Sequence, residues 1–216
     1  MSTYILLSAG SGRSMQTRGA KALLEYDGCT VLDHQIKTIS KFDKKADIVV
    51  VTGVGHEKIV KHISKREHDV RLILNHSYKL TSQTESLRLG LNGIRKDAVY
   101  IIHGDMIFNE AALCASPNKS SVVIVSSDEK KSVGVSHDNG TVLNMSYGIQ
   151  DKWGQIAYIA KKDFGISREV INSFKNNKMT FEYINMLLKN IKISIVYDGV
   201  KTVEINKNYE EPCNNI

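Results

Sequence analysis

Cysteine is scarce in this chain. Of 216 residues only Cys29, Cys114 and Cys213 carry a thiol. They are odd in number, far apart and in no Cys-x-x-Cys pair. That excludes a disulfide scaffold and a cysteine-rich zinc site, and it predicts a reducing, cytoplasmic setting. Proline is scarcer still: Pro117 and Pro212 are the only two, too few for long linkers. The longest apolar stretches, such as AVYII at 98–102, fall far short of the roughly 20 residues a membrane span needs. The start, MSTYILLS, lacks a basic region and a long apolar core, so no signal peptide is expected. There is no internal repeat or low-complexity segment. The net charge is +6, yet no long basic block exists: Lys and Arg alternate with acids, as in KREHDVR (65–71). Aromatics are 7% of the chain and do not interleave with the basic residues as a stacking platform would need, which argues against nucleic acid as partner.

The composition is otherwise that of a globular protein, 42% hydrophobic and 24% charged. Apolar, β-branched runs alternate with segments of helical period. TYILLS, ADIVVVTG, VRLILN and AVYIIHGDM read as strands. Residues 30–42, 56–66 and 84–94 between them read as helices. Near-continuous apolar strands separated by helices predict an α/β fold: a Rossmann-like, mostly parallel sheet covered by helices on both faces. Beyond about Ser120 the pattern becomes strand-rich, with a hairpin turn at Asp138-Asn139-Gly140, a strand over GQIAYIAKKDF, helices at 167–176 and 180–190, and closing strands ISIVYDG and KTVEIN. One domain is expected over 1–216, with a core at 1–118 and an elaboration at 119–216.

In such sheets ligands sit at the carboxyl ends of the strands. The loop SAGSGRSMQTRGAK (8–21) follows the first strand directly. Glycines let its backbone approach a ligand, successive N–H groups make an anion nest, and Arg13, Arg18 and Lys21 add positive charge. A polyphosphate is the expected guest. A dinucleotide fingerprint fails, since Met15 stands where its third glycine would be. A P-loop fails too, since Ala20-Lys21-Ala22 is not Gly-Lys-Ser/Thr. What remains is the Gly-rich loop with Lys21 at its far end, and Gly104-Asp105 at the end of a later strand. Asp105 is suited to hold Mg²⁺ against phosphates, because that ion takes one or two carboxylates plus substrate oxygens. His103 reads as a packed strand residue rather than a ligand.

LLSAGSGRSMQTRGAKALLEYDGCTVLDHQI resembles the signature of the GT-A-like nucleotidyltransferases, which include sugar-1-phosphate, methylerythritol phosphate and phosphocholine enzymes. VVVTGVGHEKI, LILNHSYKLTSQTESLRLGL and IIHGDMIF are similar to later motifs of that family, and TFEYINMLLKN and KTVEINKNYEE to its C-terminal layout. The specific motifs lie within 4–108. The resemblance implies nucleotide contacts at Ser8, Ala9, Gly10, Ser11, Gly12, Arg13, Lys21, Gln83, Thr84, Ser86 and Gly104. It also implies metal contacts at Asp105, Glu204 and Asn206, with Mg²⁺ as cofactor. Three departures stand out: Ser14 replaces the loop Arg, with Arg13 one place earlier; Ala20 replaces a Pro; Asn206 replaces a metal-binding Asp. Arg13 can serve from the same loop, and Asn206 keeps a carbonyl ligand.

The chemistry this resemblance implies needs no general base. An acceptor phosphate is already an anion, so catalysis reduces to positioning and electrostatics. Lys21, Arg13 and Asp105 are the expected catalytic residues. For the acceptor, Trp153, Tyr147, Glu182 and Tyr183 are expected to line a pocket of ring faces and acid, suited to an ammonium group. The expected function is therefore transfer of a nucleotidyl, chiefly cytidylyl, group to a small phosphate or phosphonate, with room for a homodimer. Three alternatives stand beside it: a sugar-1-phosphate enzyme using UTP or dTTP, a degenerate nucleotide-binding member, and a glycosyltransferase, which the lack of an Asp-x-Asp pair disfavours.

Overall fold

The computed structural model describes residues 2–10, 19–95, 97–126, 132–174 and 177–205. In chain order the first half contains β1 (Ser2–Ser8), β2 (Glu25–Tyr26), β3 (Cys29–Thr30), α1 (Val31–Phe42), β4 (Asp47–Thr52), α2 (His56–Arg66), β5 (Arg71–Leu74), α3 (Gln83–Asn92), β6 (Ala98–His103) and β7 (Met106–Phe108). The second half adds β8 (Ser121–Ser126), β9 (Val133–Asp138), β10 (Thr141–Tyr147), β11 (Asp151–Ile159), α4 (Phe164–Ser173), α5 (Thr180–Leu187), β12 (Ser194–Val196) and β13 (Thr202–Glu204).

Nine strands form one sheet in the order β5-β4-β1-β6-β11-β8-β12-β10-β9. β5, β4, β1 and β6 run parallel. β11 is antiparallel to both β6 and β8, which makes the sheet mixed and joins the two halves of the chain. Alternation along the strands explains why both faces are covered. Tyr4, Leu6, Ile48, Val50 and Ile102 pack against Leu32, Ile36 and Ile39 of α1 and Ile59 and Ile63 of α2. Their neighbours Ile5, Val49, Val51 and Ile101 pack on the opposite face against Leu87 and Leu91 of α3, Ile171 of α4 and Ile184 and Leu187 of α5. Among the described residues no helix is long and apolar enough to cross a membrane.

Several boundaries differ from the sequence reading for identifiable reasons. The strand expected over 98–106 is cut in two at Gly104-Asp105, because the chain turns there between β6 and β7. β11 ends at Ile159, and α4 begins at Phe164 rather than at Ser167. Lys161–Asp163 form a 3-10 turn between them, and Asp163 accepts a hydrogen bond from Ser120 Oγ at 2.7 Å. The 138–140 turn is as expected: Asn139 and Gly140 both have positive φ, the geometry of a two-residue hairpin joining β9 to β10.

Candidate active site

A cavity of about 550 Å³ opens at the carboxyl ends of β1 and β6. Ala9 and Gly10, just after β1, form one wall. Lys21 sits in a one-turn 3-10 segment, Lys21–Leu23, and reaches across to Asp105: Nζ lies 2.7 Å from Oδ2. The side chains are only 13% and 19% exposed, so this is a partly desolvated ion pair. Ala20 occupies φ −74°, an angle proline would also take, so replacing Pro with Ala leaves the approach to Lys21 conformationally unchanged.

The turn that carries Asp105 is held by the main chain and by one side chain that sequence reasoning missed. Gly104 N–H donates to Leu7 O at 3.0 Å, and Ile205 N–H donates to Asp105 O at 2.8 Å. From α1, Gln35 Nε2 donates to His103 O and to Met106 O, both at 2.8 Å, and so braces the turn on either side of Asp105. Its only signal was an amide on the buried stripe of an amphipathic helix.

Gly104 shows why this residue must lack a side chain. A Cβ there would collide with Ser8 Oγ and fall 2.7 Å from Leu7 O and 2.9 Å from Ser8 Cα. Two of these three atoms are backbone and cannot swing aside. Gly104→Ala is therefore expected to cost about 1–3 kcal/mol in chemical denaturation, as overpacking does. Adding Ser8→Ala should not restore stability, because the backbone atoms still obstruct.

Glu204 completes the acidic side. Its strand, β13, pairs with β7 so that Glu204 lies opposite Met106, and Gln155 Nε2 donates to Glu204 Oε2 at 2.7 Å. Gln155 has φ 58°, left-handed in a residue that is not glycine, at an irregularity of β11 between Trp153 and Ala157. The kink aims its amide at Glu204. His103 is fully buried, and burial holds its pKa below the usual value, against the opposing pull of Asp105 and a hydrogen bond with Gln155. Thr180 Oγ1 lies 3.0 Å from Gln83 Oε1 and 3.2 Å from His103 Nε2, linking the two side chains. His103 is buried by its packing and borders the cavity.

The other expected site residues divide. Gln83 and Ser86, at the first turns of α3, line the cavity together with Asn75 and Ser82. Ser8 and Gly104 lie packed against each other at the end of β1 rather than in the lining. Thr84 is a correction: it is buried, and its Oγ1 donates to Lys178 O at 3.0 Å and accepts from Lys178 N at 3.2 Å, away from the lining. Tyr183 is a second correction. It is fully buried in the core beneath α5, with its hydroxyl 2.6 Å from Ser167 Oγ. Glu182 is a third, since its Oε2 accepts from Met179 N–H and its Oε1 from Lys178 Nζ. That carboxylate caps α5 outside the cavity lining. Trp153 does reach the lining, but it is 3% exposed, donates to Ile156 O at 3.1 Å, and stands edge-on to His103. The accessible rings are Tyr147 and Phe181, in edge contact at 5.6 Å, with Tyr78 across from them. Ser11, Gly12, Arg13 and Asn206 lie outside the described residues.

Residues 4–156 match the profile of the MobA-like NTP transferase domain. No curated protein sequence matches the chain significantly. Solved structures with similar folds include the CTP:phosphocholine cytidylyltransferase LicC of Streptococcus pneumoniae, at 16% identity and TM-score 0.78, over 94% of this chain and 93% of that one. An inositol-1-phosphate CTP transferase from T. maritima is similar at 14% identity and TM-score 0.74, over 96% and 89%. A Bacillus anthracis protein described as a glucose-1-phosphate thymidylyltransferase is similar at 17% identity and TM-score 0.78, over 94% and 89%.

Proposed function

We propose that this chain, which belongs to the family of MobA-like NTP transferase domains, moves a cytidylyl group from CTP to a small phosphate or phosphonate that also bears an ammonium group. The family makes it a nucleotidyltransferase; the base and the acceptor are the proposal. The observation that carries it is the Lys21–Asp105 pair at 2.7 Å on the cavity wall. Each member stands in for what the other would meet during turnover. Asp105 takes the place of a phosphate beside Lys21, and Lys21 takes the place of a cation beside Asp105. The N-terminus of α3, with Ser82 and Gln83 on the lining, presents the positive end of its dipole to the same space.

Enzymes of this family generally use a divalent metal, and the donor set here fits Mg²⁺. Asp105 and Glu204 are hard oxygen ligands on one cavity. Among the described contacts each has one oxygen engaged, by Lys21 and Gln155 respectively. When bound, the ion would draw charge from the phosphate oxygens. The chain's own groups would do the rest. Lys21 would hold an oxygen of the transferring or acceptor phosphate, and the Ala9-Gly10 backbone would border the triphosphate. An acceptor oxygen would then attack the α-phosphorus as pyrophosphate leaves. His103 would help to hold Thr180, and through it Gln83, in place. Residues 1–118 would supply the nucleotide side and 119–216 the acceptor side.

The acceptor reading rests on Tyr147, Phe181 and Trp153. Rings suit an ammonium group, at about 0.5–2 kcal/mol each. A sugar would want free amides, but the donors of Asn75 go to Ser86 and Thr81 and that of Gln155 to Glu204, and Gln83 is held through its Oε1 by Thr180. The test is pyrophosphate release from four NTPs against phosphocholine, aminoethylphosphonate and sugar-1-phosphates, with Mg²⁺. CTP with an amino-bearing acceptor is the expected pair. Turnover of a sugar-1-phosphate with UTP or dTTP would replace this acceptor reading, and no turnover with any pair would leave a nucleotide-binding protein. Tyr147→Ala and Phe181→Ala should each raise the acceptor KM about two- to thirty-fold and leave the CTP KM unchanged. Equal effects on both substrates would remove these rings from the acceptor site.

A further inference from the structure

Outside the cavity lining, three side chains from three segments converge on one point. Asp33 lies in the first turn of α1, His62 in α2, and His68 just beyond α2. Both imidazoles direct Nε2 at the same atom, Asp33 Oδ1, each at 2.8 Å. The three ligand atoms all lie within 4.8 Å of one another. We propose that Asp33, His62 and His68 form a binding site for one zinc-class divalent ion (Zn²⁺, Co²⁺ or Ni²⁺).

The donor set selects the ion. Two imidazole nitrogens and one carboxylate oxygen suit borderline metals, whereas Mg²⁺ and Ca²⁺ prefer oxygens alone. The distances are close to what such an ion needs. Tetrahedral zinc with bonds of about 2.0–2.2 Å separates its ligand atoms by about 3.3 Å. Each nitrogen would therefore draw back from the carboxylate by about half an ångström, a shift within side-chain reach. His62 and His68 are 18% and 22% exposed, so solvent can supply a fourth ligand and the ion has a way in.

Neighbouring groups hold the ligands in place. Thr30 N–H donates to Asp33 Oδ2 at 3.3 Å within a capping box, which leaves Oδ1 as the single metal-facing oxygen. At the end of α2, Glu67 turns the chain through φ 53°, and His68 N–H bonds back to Ile63 O at 3.3 Å. That turn sets the His68 ring near the His62 ring, their centroids 6.5 Å apart. One group opposes the ion: Arg66 Nε lies 3.9 Å from Asp33 Oδ2. Its side chain is 53% exposed and can swing toward water when a second cation arrives. A bound ion would cross-link the start of α1 to the end of α2.

The test uses the full chain, stripped with chelator and dialysed. Co²⁺ titration should give one saturable equivalent with the visible absorption of four-coordinate cobalt, which Zn²⁺ then displaces. Zn²⁺ well above its Kd should raise Tm by about 5 °C for a chain of this size. His62→Gln with His68→Gln should lose the absorption and the Tm shift, while keeping the metal-free Tm within a few degrees (about 2–4 °C per kcal/mol). Asp105→Asn should keep both signals, which separates this site from the cavity and from the nucleotidyl-transfer reading. Absence of saturable binding at micromolar Zn²⁺, or equal binding by the double-histidine variant, would overturn the proposal.

Discussion

Asp105→Asn is expected to fold as the native chain does and to release pyrophosphate at less than about one-thousandth of its rate, the upper end of what losing one preorganised charged group costs. The two halves of that expectation rest on different contacts. The turn at Asp105 is fixed by groups that ignore its carboxylate: Gly104 N–H on Leu7 O, Ile205 N–H on Asp105 O, and Gln35 on the carbonyls of His103 and Met106. Asparagine keeps the shape, the main chain and a carbonyl oxygen that can still accept from Lys21 Nζ, so Tm should move little. What it loses is the full negative charge that opposes Lys21 now and would oppose a divalent cation in the loaded site. Glu204 cannot replace that charge, since it comes from β13 and is tethered by Gln155. Thermal melting alongside pyrophosphate release at saturating NTP and varied Mg²⁺ checks both halves. A rate within tenfold of native, with native Mg²⁺ dependence, would remove Asp105 from the metal role.

Asp105 was legible in the sequence because strand ends are local features. A run of buried residues followed by Gly-Asp marks its own terminus, and parallel strands deliver their termini to one edge. The same logic brought out Ala9 and Gly10, while Lys21 came from its charge at the far end of the Gly-rich loop. That both faces of the parallel strands would be covered was legible too, because runs such as YILL and IVVV are apolar throughout while successive side chains leave opposite faces. Helical neighbours misled. Tyr183 and Glu182 were grouped with the acceptor pocket because TFEYIN concentrates aromatic and acidic side chains. At 100° per residue those three side chains leave the helix in different directions: Tyr183 falls on the buried face with Thr180, Ile184 and Leu187, Glu182 turns back to the cap, and Phe181 meets Tyr147. Thr84 failed for the same reason, being one position from Gln83 on α3. The order of the C-terminal strands was not legible at all. β12 lies between β8 and β10 although α4 and α5 intervene in sequence, and no local pattern encodes such a pairing. Nor could spacing show the Asp33, His62 and His68 cluster, since its members are 29 and 6 residues apart and meet only when α1 and α2 share a face of the sheet.

Lys21→Ala is the second large effect, with an expected loss of about 10²–10³ in rate, the cost of removing one charged donor from a preorganised site. The structure offers Lys21 two jobs. It could merely neutralise Asp105, or it could be the cation that meets phosphate. The two jobs predict different things for the pair. If neutralisation were all, Lys21→Ala would leave a partly buried carboxylate without its partner, and Tm would fall. Adding Asp105→Asn would then restore Tm, and the activity of the Lys21 variant would follow its stability. If Lys21 meets phosphate, kcat falls far more than the change in Tm accounts for, even at temperatures where the variant is fully folded, because phosphate reaches Lys21 only when substrate is bound. In that case the double variant should lose less than the product of the two single losses, since both residues act on one arrangement of charge. Lys21→Arg sharpens the distinction. A guanidinium keeps the charge beside Asp105 and so preserves neutralisation, but its fork is longer and planar and does not put a compact charge at the position Nζ holds 2.7 Å from Oδ2. A structural role would leave Lys21→Arg near native activity; a role on phosphate should leave it well below native and above Lys21→Ala. Melting curves and pyrophosphate-release kinetics on the four variants decide between the two, and a Lys21→Ala protein with native kcat at native Tm would remove Lys21 from the chemistry altogether.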